Sequence, residues 1–262
     1  MSTYSPFNKL KPPYPEERRT LFFGIGNAKI EGTATFSLPA GYTCPGAEKC
    51  LAWFDRKEKR LVDGPKSEHR CFAASMEAYT PTLRASVDRN LAILQEARTT
   101  ERMTNIIDLS LPAAWLHNVR VHVDGDFYHQ DYFLAWMAAA RSNPNRWFYA
   151  YTKSLPIWIA HRKKVPKNFV LTASWGGKWD SLIEPNKLRS ARIVFHPDEA
   201  ERLGLEIDHD DSHARADDGH DFALLLHGAQ KAGSTGSDAI KRLKRENVQF
   251  SYNKNKSITL KR

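Results

Sequence analysis

No apolar run in the sequence approaches the roughly 18–20 residues that a membrane-crossing helix needs, so no bilayer-spanning segment is expected. Residues 1–20 are rich in Pro, Lys and Glu where a secretory leader would carry an apolar core, which predicts a cytoplasmic chain. Cysteine is scarce: three in 262 residues, an odd number, too few for a disulfide framework to hold a chain of this size together. The sequence also lacks a Gly-x-Ser-x-Gly elbow, a Walker A loop and a zincin helix, so nothing in it supports a serine hydrolase or a P-loop ATPase. Gly24 and Gly26 do not complete a dinucleotide fingerprint, because no third glycine follows at the needed spacing.

What is present describes a globular chain, 41% hydrophobic and 26% charged. Its net charge of +9 raises nucleic acid, DNA or RNA, or a nucleotide as a partner. That charge is segregated. The last 22 residues hold eight basic side chains, among them Lys241, Arg242, Lys244 and Arg245, against Glu246 alone, so +7 of the +9 lies there. A second basic stretch runs from Lys153 to Lys167 and includes Lys163 and Lys164, with no acid. Between them, residues 201–221 hold eight carboxylates against two arginines. Such runs are either solvated surface or, for the basic ones, phosphate-neutralising segments.

Three parts are expected: a Pro-rich arm (1–20), an α/β domain (21–240) and a basic C-terminal helix or tail (241–262). Strand-like runs occur at 21–27, 34–38, 119–123, 147–152, 168–173, 191–195 and 222–226. Leu83, Val87, Leu91 and Leu94 recur at helical spacing after Thr80-Pro81, which predicts a helix to about Arg98. Asn105–Leu111, stopped by Pro112, reads as either a strand or a helix end. Val119–Val123, the helical pattern from Tyr132 to Ala140, and Trp147–Thr152 form a βαβ unit. A last helix is expected near Asp238–Arg245. The order argues for an α/β fold with a mostly parallel sheet, forming a partial or complete βα barrel, whose ligands gather at the carboxyl ends of the strands.

Cys44, Cys50 and Cys71, in a Cys-x5-Cys-x20-Cys arrangement, follow the 34–38 strand. Three thiolates suit an iron-sulfur cluster with one open iron, or a zinc with a fourth ligand such as His69. Unrelated structural cysteines and redox thiols are the other readings. At the end of a later strand stands His122-Val-Asp124-Gly125-Asp126. If the strand continues, His122 and Asp124 share a face, and Gly125 permits close backbone approach. This group could bind a divalent metal, as in a nuclease, or a ribose or amino group; the bland reading is a turn capping the next helix. The His- and Asp-rich run 209–221 reads as a solvated acidic turn more readily than as a metal site. His196 and His227 end predicted strands. Aromatics such as Trp147, Tyr149, Tyr151 and Trp175 are either core or stacking platforms for unpaired bases.

The runs Gly24–Ile30, Phe36–Gly41 with Cys44–Ala47, His122–Phe127 and Phe148–Ser154 resemble the gene product 88 family of phages and plasmids, over residues 20–245 or so. The resemblance implies a mobile-element origin, hence the cytoplasm of a host cell. The architecture also resembles, more distantly, radical S-adenosylmethionine enzymes, which place three cysteines after their first barrel strand and a short amino-group-binding motif after the second. That resemblance implies a 4Fe-4S cluster on Cys44, Cys50 and Cys71. It further implies S-adenosylmethionine held near Asp124, Gly125, Asp126, Thr152 and Ser154, with His122, Asp126 and Lys153 as catalytic candidates. The spacing departs from the usual C-x3-C-x2-C, so Leu51–Arg70 must loop out and return Cys71. A structural zinc in a non-enzymatic nucleic-acid-binding protein is the rival expectation.

Overall fold

The computed structural model describes residues 20–26 and 30–248. The expected Pro-rich arm, except residue 20, and residues 249–262 of the expected basic tail lie outside them. The chain opens with β1 (Phe23–Ile25) and β2 (Thr33–Phe36), an antiparallel pair. A separate hairpin of β3 (Ala52–Asp55) and β4 (Arg60–Asp63) follows, then three helices: α1 (Phe72–Tyr79), α2 (Pro81–Ala97) and α3 (Thr100–Ser110). The remainder alternates: β5 (Asn118–Val121), α4 (Gln130–Ser142), β6 (Trp147–Thr152), α5 (Leu155–Ala160), β7 (Phe169–Ser174), β8 (Ser190–Val194), α6 (Pro197–Leu203), α7 (Ser212–Arg215), β9 (Phe222–Leu225) and α8 (Thr235–Arg245).

The ambiguous 105–111 segment is helical. Thr99 caps α3 by accepting from the Arg102 amide, and Pro112 stands just beyond its end. The adjacent Ile106 and Ile107 give the segment a strand-like look, yet Met103 and Ile107, four apart, are its buried residues.

Seven strands form one sheet in the order β1-β2-β5-β6-β7-β8-β9, parallel throughout from β2 onward. The order never reverses. Right-handed crossovers in a sheet of that order all return on the same side, and the packing shows it. Phe36, Val121, Phe148 and Leu171 face one core with Leu94, Ile107, Phe133 and Trp136 from α2, α3 and α4. Val194, Ala223 and Leu225 continue that side under α6 and α8. The other face carries Tyr149, Val170, Ala191 and Phe222, and among the described helices the short α7 packs on it, through Ala214. That face is therefore available to line an interior. Complete barrel closure is not observed: β1 and β9 are the sheet's two edges, and no strand pairing joins them among the described residues. The β9 side is tied to the start of α1 instead. The Arg70 amide donates to Gln230 Oε1 (2.8 Å), Gln230 Nε2 donates back to the Arg70 carbonyl (3.2 Å), and Phe72 packs on His227 at 4.9 Å between ring centroids.

Candidate cofactor and active site

The loops at the carboxyl ends of the parallel strands surround a cavity of about 250 Å³. Cys44, Cys50 and Cys71 all line it. Leu51–Arg70 does loop out and come back: it is the β3-β4 hairpin, closed at its base where the Gly64 amide and Ser67 hydroxyl both donate to the Leu51 carbonyl. The Glu68 and His69 amides then donate to Lys49, which sets Cys71 down beside the segment holding Cys50. The cysteine loop also pairs with the turn after β7, through Lys49 to Gly176 (2.9 Å) and Lys178 to Gly46 (2.9 Å). Gly46 lies against the end of β6 so closely that a Cβ there would meet the Lys153 carbonyl oxygen at 2.3 Å.

The three thiols are free of disulfides. Burial holds Cys44 well above the usual thiol range, with Asp126, Cys71 and Cys50 adding to it. Burial, then Cys50, pushes Cys71 up to about 12. Positive metal charge is what such a cluster of desolvated thiols would need in order to ionise. Among the described residues, no group of three or more His, Cys, Asp or Glu side chains is arranged to hold a metal ion. A single zinc, with Zn–S near 2.3 Å, would bring its sulfurs to within about 4 Å of one another. A cluster spreads its thiolates over several irons and tolerates wider spacing. His69 lines the same cavity, its Nε2 buried without a partner; burial and Lys153 lower it to about 4, so it is a neutral imidazole.

His122 and Asp124 both belong to the cavity wall, but not as neighbours on one strand face. β5 ends at Val121 and His122 is left-handed (φ 68°), so strand alternation stops there and the two side chains do not share a face. The His122 ring packs on Phe36, Phe127 and Tyr132, with Nε2 at 2.8 Å from the Tyr132 hydroxyl, and burial alone lowers its pKa to about 3. Asp124 lines the cavity. Burial and the nearby Glu77 raise it to about 7, against the opposing pull of Arg120 and a Ser37 hydrogen bond. Gly125 is also left-handed (φ 87°), and a Cβ there would meet Thr43 Oγ1 at 2.6 Å.

Asp126 joins β5 to β6. It accepts from the Phe127 amide (2.7 Å), the Thr152 hydroxyl (2.6 Å) and the Lys153 amide (2.8 Å), and Thr152 Oγ1 in turn accepts from the Ser154 amide (2.9 Å). Burial still raises Asp126 above the ordinary carboxylate range, though these bonds oppose it. The Lys153 ammonium donates to the Ser174 carbonyl (3.0 Å), the Ser174 hydroxyl (2.7 Å) and the Trp175 carbonyl (2.5 Å), which locks the end of β6 to that of β7. Ser154 is buried beyond β6, its hydroxyl without a partner.

A family model for "Gene product 88" matches residues 15–247. The chain belongs to the gene product 88 family. The "Gene 88 protein" of Mycobacterium phage L5 is 25% identical over 139 residues, which is 49% of this chain and 51% of that protein. The chain thus spans about half the length of the curated relative it matches. No solved structure matches.

In this gene product 88 family member the described parts of the two basic stretches do not converge on the cavity as a unit. Lys153 is at the cavity, whereas Lys163 and Lys164 sit on an exposed 3-10 turn before β7, toward the amino end of that strand. On α8, Lys241 pairs with Asp238 and Arg242 with Asp198 and Glu246, while Lys244 and Arg245 are exposed. His196 joins this surface network by bonding Glu246 at 2.8 Å. The acidic run is not wholly solvated. Asp208 is buried accepting from the Ala214 amide, and Asp211 is buried against Arg120 at 2.7 Å.

Sequence reasoning reached Ser174 only as part of a strand-end segment and passed over Arg120 as a site residue. An arginine at the centre of the β-branched run Val119-Arg120-Val121 was the available signal. A charge flanked by two buried valines must face something other than the core.

Proposed function

We propose that the cavity is the active site of a radical S-adenosylmethionine-type enzyme, with Cys44, Cys50 and Cys71 holding a 4Fe-4S cluster at the mouth of a partial barrel. The observation that carries this is the return of Cys71, by a 20-residue hairpin excursion, to the cavity that Cys44 and Cys50 already line. Three thiols leave one iron of the cluster open, and the pair supplies one-electron cleavage of the cofactor when bound. The chain's own part is positioning. Asp124, the cavity carboxyl with its burial-raised pKa, takes the amino group of the cofactor, and Gly125 keeps the turn close to Leu38 and Thr43. Asp126, Thr152 and Lys153 hold the ends of β5, β6 and β7 in register around them.

Anaerobic purification tests the reading. The expected preparation is brown, absorbs near 400 nm and contains about four irons and four sulfides per chain, with all three lost in the Cys71→Ala variant. A colourless, iron-free protein that also resists reconstitution overturns it, and stoichiometric zinc would favour the structural-metal reading.

A further inference from the structure

Below the cysteines, the inner face of the sheet carries a group of polar side chains that catalysis by the cluster does not need. Arg120 points inward from β5, four residues before Asp124, and lines the cavity with Tyr151 of β6. Its Nη1 donates to Asp211 Oδ2 (2.7 Å), which also accepts from the Tyr149 hydroxyl (3.2 Å). One edge of the guanidinium is thus anchored. The other edge is not: Arg120 Nε is buried and has no partner. The Tyr151 hydroxyl, on a ring 5.3 Å from the guanidinium carbon, is buried without a partner as well. So is the Thr172 hydroxyl on β7, whose Cα is the register partner of Tyr151. Thr172 lies between Leu171 and Ala173, which face the outer core, and so faces inward.

Three orphaned donors on three adjacent strands are costly, since a buried donor left unmade loses its full hydration. Arginine Nε only donates, and the Nε edge of a guanidinium presents parallel N–H groups matched to two oxygens of one acid group. We propose that the inner face of the sheet beneath this cavity binds an oxyanion of the substrate, a carboxylate or a phosphate, through Arg120 Nε, Tyr151 Oη and Thr172 Oγ1. This names a substrate class for the cavity and rests on reading it as an active site, but its test needs neither metal nor S-adenosylmethionine.

The full chain, labelled with nitrogen-15 arginine, is titrated separately with inorganic phosphate and with propionate at constant ionic strength, following the Arg120 Nε–H resonance, assigned by its disappearance in Arg120→Lys. At least one anion is expected to shift that resonance saturably, and which one does so separates phosphorylated from carboxylic substrates. Tyr151→Phe and Thr172→Val should each weaken binding roughly tenfold, as expected for a hydrogen bond to a charged group. Both should leave the melting temperature unchanged or raised, because neither hydroxyl bonds anything within the protein. No saturable shift with either anion at tens of millimolar overturns the proposal, as does equal binding by both variants. Iron content, measured on a separate anaerobic preparation, reports independently on the cluster.

Discussion

At Gly125 the backbone takes φ 87° with Thr43 and Leu38 pressed against the Cα, so the residue has neither the conformational nor the spatial room for a side chain. Gly125→Ala is expected to destabilise the protein by about 2–3 kcal/mol, read as a lower urea midpoint at unchanged slope. Asp124 makes a different prediction. Burial raises its pKa from about 3.9 in the unfolded chain to about 7 in the folded one, so the folded state holds the proton more tightly. Its favourable contribution is complete below about pH 4 and is lost as pH rises through 7. Asp124→Asn should therefore match the parent at pH 3.5 or so and exceed it at pH 8 by at most about 4 kcal/mol. Urea unfolding at the two pH values checks this, and equal stability at both would mean the carboxyl is hydrated. His122 works in the opposite sense. With its folded pKa near 3 against about 6.5 unfolded, its contribution is present above pH 6.5 and lost on acidification toward 3.

Among the elements, the β3-β4 hairpin is the one that places chemistry without belonging to the main sheet. Its turn residue Arg56 reaches Glu77 of α1 and Asp88 of α2, fixing the hairpin to the two helices that follow Cys71. Glu77 is fully buried and also accepts from the Ala40 amide (2.5 Å), so it joins the stretch before Cys44 to the helix that Cys71 begins. Arg56→Ala strands the Glu77 charge, and a loss of about 3–5 kcal/mol is expected by chemical denaturation. The hairpin was legible only as a requirement. Its residues, Ala52-Trp-Phe-Asp55 and Arg60-Leu-Val-Asp63, are short, half-polar and joined by four charged residues, so neither period stands out. By contrast α2, α4 and β6 were readable, because each is long and buries one regular face.

For the molecule as a whole, parallel strands gather the loops that follow them at one end of the sheet and the loops that precede them at the other. The cavity opens at the carboxyl ends of the strands, while Lys163 and Lys164 lie toward the amino end of β7. Reversing both to Glu should leave iron content and the Arg120 anion response unchanged; a fall in either would show that the basic turn acts on the cavity. Among the described residues no helix is long and apolar enough to cross a membrane.

The sequence by itself determined the kinds of element and most of their positions, the βαβ order, and the segments after each strand as the place to look for ligands. Periodicity reports which face of an element is buried, and that is a local property. Only the tertiary structure decided what each buried face meets. Arg120 finds Asp211 across 91 residues, and Arg70 finds Gln230 across 160. His122 borders the cavity with its ring packed on aromatic neighbours, because one left-handed residue ended the strand alternation on which its predicted placement depended. Cys71 joined the other cysteines because hydrogen bonds across the base of the hairpin brought the chain back, and no local pattern in Leu51–Arg70 records that closure.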